Sequence, residues 1–281
     1  MKKILIFILC LLFILFGVLL YSRFIGTVGL RTNEITIHTN ILESYNGMKI
    51  VHFSDLHYKK VITEERVKNL VKEINRLKPD IVLFTGDLFD QDYEITNRDI
   101  NFLIQEFSNI ESKFGNYAIL GDHDYLEEET VQNIYLQSNF TLLKNEHTII
   151  YNENNDKIFI GGLESYTNGK ADIHSVLEKF QSEEDIFYKI VLIHEPDYID
   201  TILKEFPDCS LILSSHSING SINLPVIRNI LLPNGAKKYN KSYYKINQTD
   251  VYISNGIGVN QVNFRLFNTP SLNFYRLVKS N

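Results

Sequence analysis

Ten short apolar runs recur along this chain and predict a protein rich in β-strands. Several of the runs are continuous rather than alternating, which is typical of strands that are buried on both faces. Polar and glycine-containing clusters follow many of them and mark the ends of the predicted strands. The runs occupy residues 34–39, 48–54, 80–86, 116–121, 147–152, 157–162, 189–194, 210–215, 251–256 and 272–278.

Helical periodicity appears between several of these runs. Residues 62–77 carry apolar side chains at the spacing of one helix face, and these are Val67, Leu70, Val71, Ile74 and Leu77. Residues 172–180 and 196–206 show a similar pattern. Strands and helices alternate first, and strands dominate near the end. This order predicts a layered α/β domain with one mixed sheet or two sheets.

The N-terminus differs from the rest, because an uncharged apolar stretch of 18 residues runs from Ile4 to Tyr21. As a helix it would reach roughly 27 Å, about the hydrocarbon thickness of a bilayer. A cleaved signal peptide is the alternative, but its apolar region is usually shorter and an A-x-A-like site is missing. We therefore predict a membrane anchor in residues 1–26 and a single domain in residues 27–281. Lys2 and Lys3 would hold the N-terminus inside, so this single-pass protein would expose its domain on the extracytoplasmic side of the cell membrane.

Composition excludes some classes of protein. The chain has 281 residues, 44% of them hydrophobic, and a formal net charge of −6. Nucleic-acid binding is not expected, because phosphate neutralisation needs clustered positive charge. The two cysteines, Cys10 and Cys209, cannot form a disulfide framework or a thiolate metal site. Oligomeric state is left open by these features.

Carboxylate and imidazole side chains follow five of the predicted strands. Any one of them alone would more often be a turn former or a helix cap, but five in order point to one shared site at a sheet edge. Mixed Asp and His ligation suits Mn, Fe or Zn better than Ca or Mg. A cluster this rich predicts two divalent ions that share one carboxylate. The residues are Asp55, His57, Asp87, Asp122, His123, Asp124, His194 and His216.

The motifs SDLH, TGD, GDHD, IHEPD and SSHS, in this order, resemble those of the calcineurin-like metallophosphoesterase superfamily. The segments SINLP and YISNGIG are similar to its membrane-anchored bacterial branch. The resemblance implies a four-layer α/β/β/α sandwich, in which two packed mixed β-sheets are flanked by helices. It also implies a hydrolase that acts on phosphoric esters.

The resemblance further implies a role for each matching residue. Asp55 and His57 would bind the first metal, and Asp87 would bridge the two metals. The ligands of the second metal would be Asp122, His194 and His216. His123 would contact the phosphate and protonate the leaving oxygen, and Asp124 would orient His123.

Two positions depart from the family pattern. Ile218 stands where a second histidine of the G-H-x-H motif would ligate the first metal, and isoleucine cannot ligate. Asn219 and Ser221 also differ from the usual residues there. Asp122 replaces the usual asparagine and adds a negative charge, which would hold cations more strongly while damping their Lewis acidity.

Two functions therefore remain open at the level of sequence. The first is a metal-dependent phosphoesterase at the cell envelope, with one metal site weakened by Ile218 and water activated by the metals as the nucleophile. Its substrate would be a phosphomonoester or phosphodiester of a small molecule, a lipid or the cell wall. The second is a catalytically decayed relative that binds metal or phosphorylated ligands without turnover.

Overall fold

The protein is described by a computed structural model that covers residues 2–91, 93–180, 186–217, 232–259 and 263–280. Six α-helices and twelve β-strands occur in these residues. The helices are α1 (Lys2–Phe24), α2 (Glu64–Leu77), α3 (Asn97–Ser108), α4 (Glu128–Gln137), α5 (Ile173–Phe180) and α6 (Ile199–Glu205). The strands of the first half are β1 (Arg31–Thr39), β2 (Lys49–Phe53), β3 (Ile81–Phe84), β4 (Asn116–Ala118), β5 (Phe140–Leu142) and β6 (Glu146–Tyr151). Those of the second half are β7 (Lys157–Gly162), β8 (Ile186–Leu192), β9 (Leu211–Ser214), β10 (Tyr243–Ile246), β11 (Thr249–Ile253) and β12 (Ser271–Lys279).

The strands form two six-stranded sheets. The first has the order β1-β12-β2-β3-β4-β5, and the second has the order β10-β11-β9-β8-β7-β6. Each sheet is mixed: β2 to β5 run parallel, as do β7, β8, β9 and β11, while β12 pairs antiparallel with β2. All ten strands predicted from the apolar runs are therefore confirmed, with shifted ends.

Three apolar layers hold the sheets and helices together. The central layer lies between the two sheets and includes Ile50, Leu83, Ile160, Ile190 and Leu213. A second layer joins the outer face of the first sheet to α2, α3 and α4, and a third joins the second sheet to α5 and α6. This arrangement confirms the predicted four-layer α/β/β/α sandwich. Strands buried on both faces explain why their sequences are continuously apolar.

Helix α2 shows how the sequence determines a local element. Thr63 caps its N-terminus by accepting a hydrogen bond from the backbone N–H of Arg66, at 3.4 Å. Its predicted apolar face is buried against the first sheet, and it ends where Lys78 adopts a left-handed conformation.

Helix α1 is fully apolar between its ends, and its apolar side chains are exposed. Among the described residues, it is the one helix long and apolar enough to cross a bilayer, judged by length and composition.

Candidate metal centre

The predicted site residues all lie at the carboxyl ends of strands. Asp55 and His57 follow β2, Asp87 follows β3, and Asp122 follows β4. Because β2, β3 and β4 are parallel neighbours, these loops emerge side by side. In the second sheet, β8 and β9 are parallel neighbours, and their ends carry His194 and His216.

One group of four side chains is close enough to hold a single cation. Asp87, Asp122, His194 and His216 each offer one ligand atom, and these atoms lie within 4.8 Å of one another. His194 Nε2 is 3.3 Å from Asp87 Oδ2 and 3.2 Å from Asp122 Oδ1. His216 Nδ1 is 3.0 Å from the same Asp122 oxygen. Two ligands therefore come from each sheet.

A second group shares Asp87 with the first. His57, Asp87 and His123 also bring ligand atoms within 4.8 Å of one another, and His57 Nε2 lies 3.6 Å from Asp87 Oδ2. Asp87 belongs to both groups, which is the geometry expected of a bridging carboxylate.

Asp55 is outside both groups but is completely buried beside them. Its Oδ1 atom has no hydrogen-bond partner among the described residues, while Ser54 Oγ donates to Oδ2. Burial raises the pKa of Asp55, and the charge of Asp87 adds to that increase, whereas His194 and His57 lower it. A buried carboxylate in this environment would be stabilised by a nearby cation.

The two histidines from the second sheet each use one ring nitrogen to contact the backbone. His194 Nδ1 lies 2.6 Å from the carbonyl oxygen of Thr85, and His216 Nε2 lies 2.8 Å from that of Asn234. A nitrogen that faces a carbonyl oxygen must carry a proton, which leaves the lone pair of the other nitrogen, next to Asp122, available to a metal. Such outer contacts orient metal-binding histidines.

Many buried polar atoms of the site lack hydrogen bonds, although oppositely charged groups surround them. Their close approaches are not aligned as hydrogen bonds, because the atoms converge on shared points. Buried polar atoms are rarely left in this state without a missing water or ion. The donor set of carboxylate oxygens and imidazole nitrogens therefore fits divalent metal ions. The atoms of the site without a hydrogen-bond partner among the described residues are Asp55 Oδ1, His57 Nδ1, His57 Nε2, Asp87 Oδ2, Asp122 Oδ1, His123 Nδ1, His194 Nε2 and His216 Nδ1.

The electrostatics of the acidic group lead to the same conclusion. Burial alone would raise the pKa of Asp122, but the His194 and His216 rings hold that pKa well below its usual range. Burial alone would lower the pKa of His194, but the carboxylates of Asp87 and Asp122 raise it well above its usual value. The cluster thus attracts positive charge, and protons would compete with metal ions for it.

Backbone conformation at the site is unusual. Asp55, His57, Asp87 and His216 have φ values of 48°, 43°, 61° and 62°, in the left-handed region that non-glycine residues seldom adopt. These are four of the six predicted metal ligands. Such conformations concentrate at functional sites, where the surrounding structure enforces them.

Two glycines let the loops that carry Asp87 and Asp122 touch. Gly86 has a φ of +92°, and a Cβ atom there would lie 2.6 Å from Gly121 Cα. A Cβ atom on Gly121 would lie 2.5 Å from the backbone nitrogen of Asp87. The glycine before each aspartate is therefore required for this close approach.

The carboxylate of Asp124, which was predicted to orient His123, contacts backbone groups of the neighbouring loops. Its two carboxylate oxygens accept hydrogen bonds from the backbone N–H groups of Asp87, Leu88 and Gly121, at 2.9, 2.8 and 2.9 Å. These bonds hold together the loops after β3 and β4, whereas no hydrogen bond to His123 occurs among the described residues. Asp124 thus positions the metal-site loops, and burial with the nearby Asp87 charge raises the pKa of its carboxyl to about 7.

His123 belongs to the second group and lies beside the first. Its backbone N–H donates to Asp87 Oδ1 at 3.0 Å, and its ring centroid is 5.1 Å from that of His57. Its Nε2 atom is 3.9 Å from Asp122 Oδ2, and its side chain is 10% exposed. A partly accessible imidazole at the edge of the cluster can meet an entering substrate.

Sequence reasoning missed some neighbours of the site. Asp90 Oδ2 lies 3.6 Å from His57 Nδ1, on the side opposite Asp87, and Lys60 Nζ contacts the same carboxylate at 2.8 Å. Its place in the segment DLFD, three residues after Asp87, was an available signal. The carbonyls of Thr85 and Asn234 have no side-chain signature. Ile218, Asn219 and Ser221 lie outside the described residues.

Comparison with known proteins identifies the class of this arrangement. A family model described as calcineurin-like phosphoesterase matches residues 48–220, more than half of the chain. The chain therefore belongs to the calcineurin-like phosphoesterase family, and it is a metal-dependent hydrolase of phosphoric ester bonds.

The chain is similar to particular proteins along most of its length. It is 29% identical over 266 residues to the uncharacterized metallophosphoesterase YkuE of Bacillus subtilis, which covers 93% of this chain and 90% of that protein. It is 28% identical over 275 residues to YkoQ of the same organism, with 93% and 97% covered. It is 28% identical to a transmembrane protein with metallophosphoesterase domain from Bos taurus over 84% of this chain, which spans 54% of that protein.

Proposed function

We propose that this protein hydrolyses a phosphomonoester or phosphodiester at the cell envelope, using two divalent metal ions held between its two sheets. The observation that carries the proposal is the convergence of Asp87, Asp122, His194 and His216 around a single point. Asp87 also contributes to a second group, so one carboxylate can serve two ions. Mn, Fe and Zn suit this mixed oxygen and nitrogen donor set.

The residues divide into two ligand sets. Asp55 and His57 would hold the first ion, and Asp87 would be shared. Asp122, His194 and His216 would hold the second ion, in positions kept by the Thr85 and Asn234 carbonyls. Two divalent cations, when bound, activate a water molecule as the nucleophile and neutralise charge on the phosphoryl oxygens.

His123 would act as the general acid. It is anchored by its backbone N–H to Asp87 Oδ1 and carries its ring next to His57. From there the imidazole can contact a phosphoryl oxygen and donate a proton to the leaving oxygen. Asp124 would keep the loops of Asp87 and Asp122 in register, so its contribution is positional.

If His123 is the general acid, the loss of activity on replacing it depends on the leaving group of the substrate. Replacing His123→Asn should lower kcat by roughly 10²–10⁴-fold. The loss should grow as the leaving alcohol becomes more basic, because a poor leaving group needs the proton most. A series of aryl and alkyl phosphate esters, assayed with Mn²⁺ and again after chelation, measures this dependence.

The matched control for this series is His174→Asn, since His174 lies on α5 with its side chain 69% exposed. That variant should retain full activity. An equal decrease in kcat for all leaving groups would contradict a general-acid role of His123. Tight metal binding by the wild-type protein with no ester hydrolysis would instead favour the decayed, ligand-binding alternative.

The proposed location depends on α1. Its length and composition suit a bilayer span, and a relative named as a transmembrane protein supports anchoring. Lys2 and Lys3 favour an orientation with the domain outside the cytoplasm. A phosphorylated small molecule, lipid or cell-wall component would then be the substrate.

The replacement of the second G-H-x-H histidine by Ile218 would leave the first metal short of one ligand. The variant Ile218→His should therefore raise both the number of bound metals per chain and the catalytic rate at low Mn²⁺. Ile218→Leu is the matched control, because it adds no ligand. Unchanged metal content and rate in Ile218→His would show that this position does not face the metal.

A further inference from the structure

The C-terminal end of α1 is docked on the domain rather than tethered loosely to it. The backbone N–H of Arg265 donates to the carbonyl of Ser22, in the last turn of α1, at 3.0 Å. Gly26 packs directly on the carbonyl of Arg265, where any side chain would overlap it. Arg66 donates to the carbonyl of Thr27 at 2.7 Å. The end of the helix is therefore in direct contact with both the segment 263–268 and α2.

The position of Ser22 relative to the bilayer follows from the length of the apolar stretch. The uncharged run ends at Tyr21, so a spanning α1 places Ser22 at the boundary of the hydrocarbon. Phe267 lies two residues after Arg265. Two residues span at most about 7 Å, so the Cα of Phe267 is within roughly 12 Å of the Ser22 carbonyl oxygen. The headgroup layer is about 5–8 Å deep on each side of the bilayer, so a side chain on this segment can reach it from the domain.

Phe267 is displayed in an unusual way. Its side chain is 72% exposed, although Arg265, Leu266 and Asn268 beside it are buried. Its φ of 57° lies in the left-handed region, which disfavours a bulky residue. The structure thus holds a large apolar side chain outward in a strained conformation, and packing within the domain does not explain it.

Further exposed apolar side chains lie next to this segment. Phe24 is 64% exposed, Ile25 is 61% and Val28 is 57%. All three come at or just after the end of α1. We refer to these three residues together with Phe267, all near the point where the helix meets the domain, as the collar.

We propose that this collar (Phe24, Ile25, Val28 and Phe267) is a second membrane contact, which inserts into the headgroup and upper acyl region of the leaflet that α1 leaves. The occupant is the lipid bilayer itself, because the collar is continuous with the end of the spanning helix. The proposal rests on membrane anchoring by α1. Insertion to a shallow depth is typical of interfacial aromatic and aliphatic side chains.

Hydrogen bonds of Arg265 and Gly258 link the segment that carries Phe267 to the metal site. The buried guanidinium of Arg265 donates to the carbonyls of Asn255, Gly256 and Gly258. The backbone N–H of Gly258 donates in turn to the carbonyl of Asp55 at 2.7 Å. Membrane contact at Phe267 would therefore give the metal centre a defined orientation and height above the lipid surface.

The absence of tryptophan from the sequence allows a direct test. Three single-tryptophan variants of the full chain are placed in vesicles of phosphatidylcholine, with and without bromine on the upper acyl chain. Phe267→Trp probes the collar. Phe13→Trp, at a site 79% exposed in the middle of α1, probes the span. Leu136→Trp, at a site 79% exposed on α4, probes the remote side of the domain.

Leu136 is a suitable control because α4 packs beside β5, at the edge of the first sheet opposite β1. Six strands spaced by about 4.8 Å put that edge roughly 24 Å from β1. All three sites are exposed, so we expect each variant to fold. Circular dichroism of each variant checks this.

The collar predicts about two-fold or greater quenching by bromine for Phe267→Trp, as expected of insertion at the headgroup–acyl boundary. Phe13→Trp should be quenched as well, and Leu136→Trp should not. Quenching at position 13 with none at 267 would overturn the collar and leave the anchor intact. Lack of quenching at position 13 would overturn the anchor itself, and the collar with it. Tryptophan emission at position 267 that is blue-shifted but not quenched by bromine would indicate contact with a second copy, which also overturns the proposal.

Discussion

At the scale of single residues, the metal centre holds costly conformations in place by hydrogen bonds from its surroundings. Left-handed backbone costs a non-glycine residue about 1–3 kcal/mol, and Asp55, His57 and Asp87 all adopt it. Asp55 N donates to the Gly86 carbonyl at 2.9 Å, and His57 N donates to the Asp87 carbonyl at 3.2 Å. The adjoining loops therefore hold one another in the conformations that aim the ligands inward.

The carboxylate of Asp124 should matter for stability as well as for metal binding. In Asp124→Asn the side-chain NH2 group would face a backbone N–H that donates to the carboxylate in the wild type, and that hydrogen bond would be lost. We expect a loss of about 2 kcal/mol in unfolding free energy and weaker metal binding. Denaturant unfolding and metal titration measure the two effects. Asp208→Asn, at a surface position, is the control, and equal behaviour of the two variants would contradict the positioning role.

The contact between the two loops predicts a strong effect of one methyl group. In Gly121→Ala the new Cβ would press on the backbone nitrogen of Asp87, shifting Asp87 or Asp122. A displacement near 1 Å can cost about 10²-fold in rate, so kcat/KM should fall by about that factor. Gly17→Ala is the matched control, because nothing lies within 4 Å of a Cβ there. Comparable activity in both variants would argue against the close approach.

His52 makes stability depend on pH. Its ring is completely buried, and burial lowers its pKa to about 3. The unfolded chain binds a proton near pH 6.5 while the folded chain does not, so this stabilisation is complete above pH 6.5 and is lost as the pH falls toward 3. Between pH 7 and pH 5 the loss should be about 2 kcal/mol. Unfolding of wild type and His52→Gln at both pH values tests this, and parallel pH dependences would refute it.

At the scale of elements, the site depends on where parallel strands end. Strands β2, β3 and β4 deliver ligands from one sheet, and β8 and β9 deliver them from the other. Antiparallel neighbours would send alternate ends to opposite edges. Each of these residues follows its strand within a few positions, so the sheet fixes where its side chain lies.

The junction between α1 and β1 is held by contacts with the domain, and we expect it to resist proteolysis. Arg23 and Arg31 flank the junction as trypsin sites. In Gly26→Ala the added methyl group would overlap the Arg265 carbonyl and separate α1 from the segment 263–268. We expect faster tryptic cleavage at the junction than in wild type, with Gly17→Ala again as the control. Equal cleavage rates would mean that the docking is not required to order the junction.

At the scale of the whole molecule, the proposed metal ion joins the two sheets. Asp87 and Asp122 come from the first sheet, and His194 and His216 come from the second. A ligand that binds only the folded state stabilises it by RT ln(1 + L/Kd), where L is the free ligand concentration. The metal would also relieve the repulsion among the carboxylates of Asp55 and Asp87, which are buried, and of Asp122, which is 14% exposed.

Metal removal should therefore lower thermal stability. At a free Mn²⁺ concentration of 100 times Kd, binding contributes about 2.7 kcal/mol, which chelation would remove. Thermal unfolding with Mn²⁺, and with Mn²⁺ plus chelator, measures the change in Tm. In His216→Ala the difference should shrink, because one of the four ligands is gone. An identical Tm with and without chelator would contradict metal binding between the sheets.

Most of the architecture can be predicted from the amino-acid sequence, because burial on both faces requires continuous apolar strands. It did not reveal β5 and β10, which are three- and four-residue edge strands whose pattern is too short to read. The order of the motifs was enough to nominate the eight site residues, since strand ends and residue types are both visible in the chain. Two contacts could not be predicted from the sequence and are seen in the folded molecule: Asp124 accepts hydrogen bonds from backbone N–H groups, and Asp90 faces His57. Backbone donors and acceptors carry no residue signature, so their partners depend on how distant loops pack.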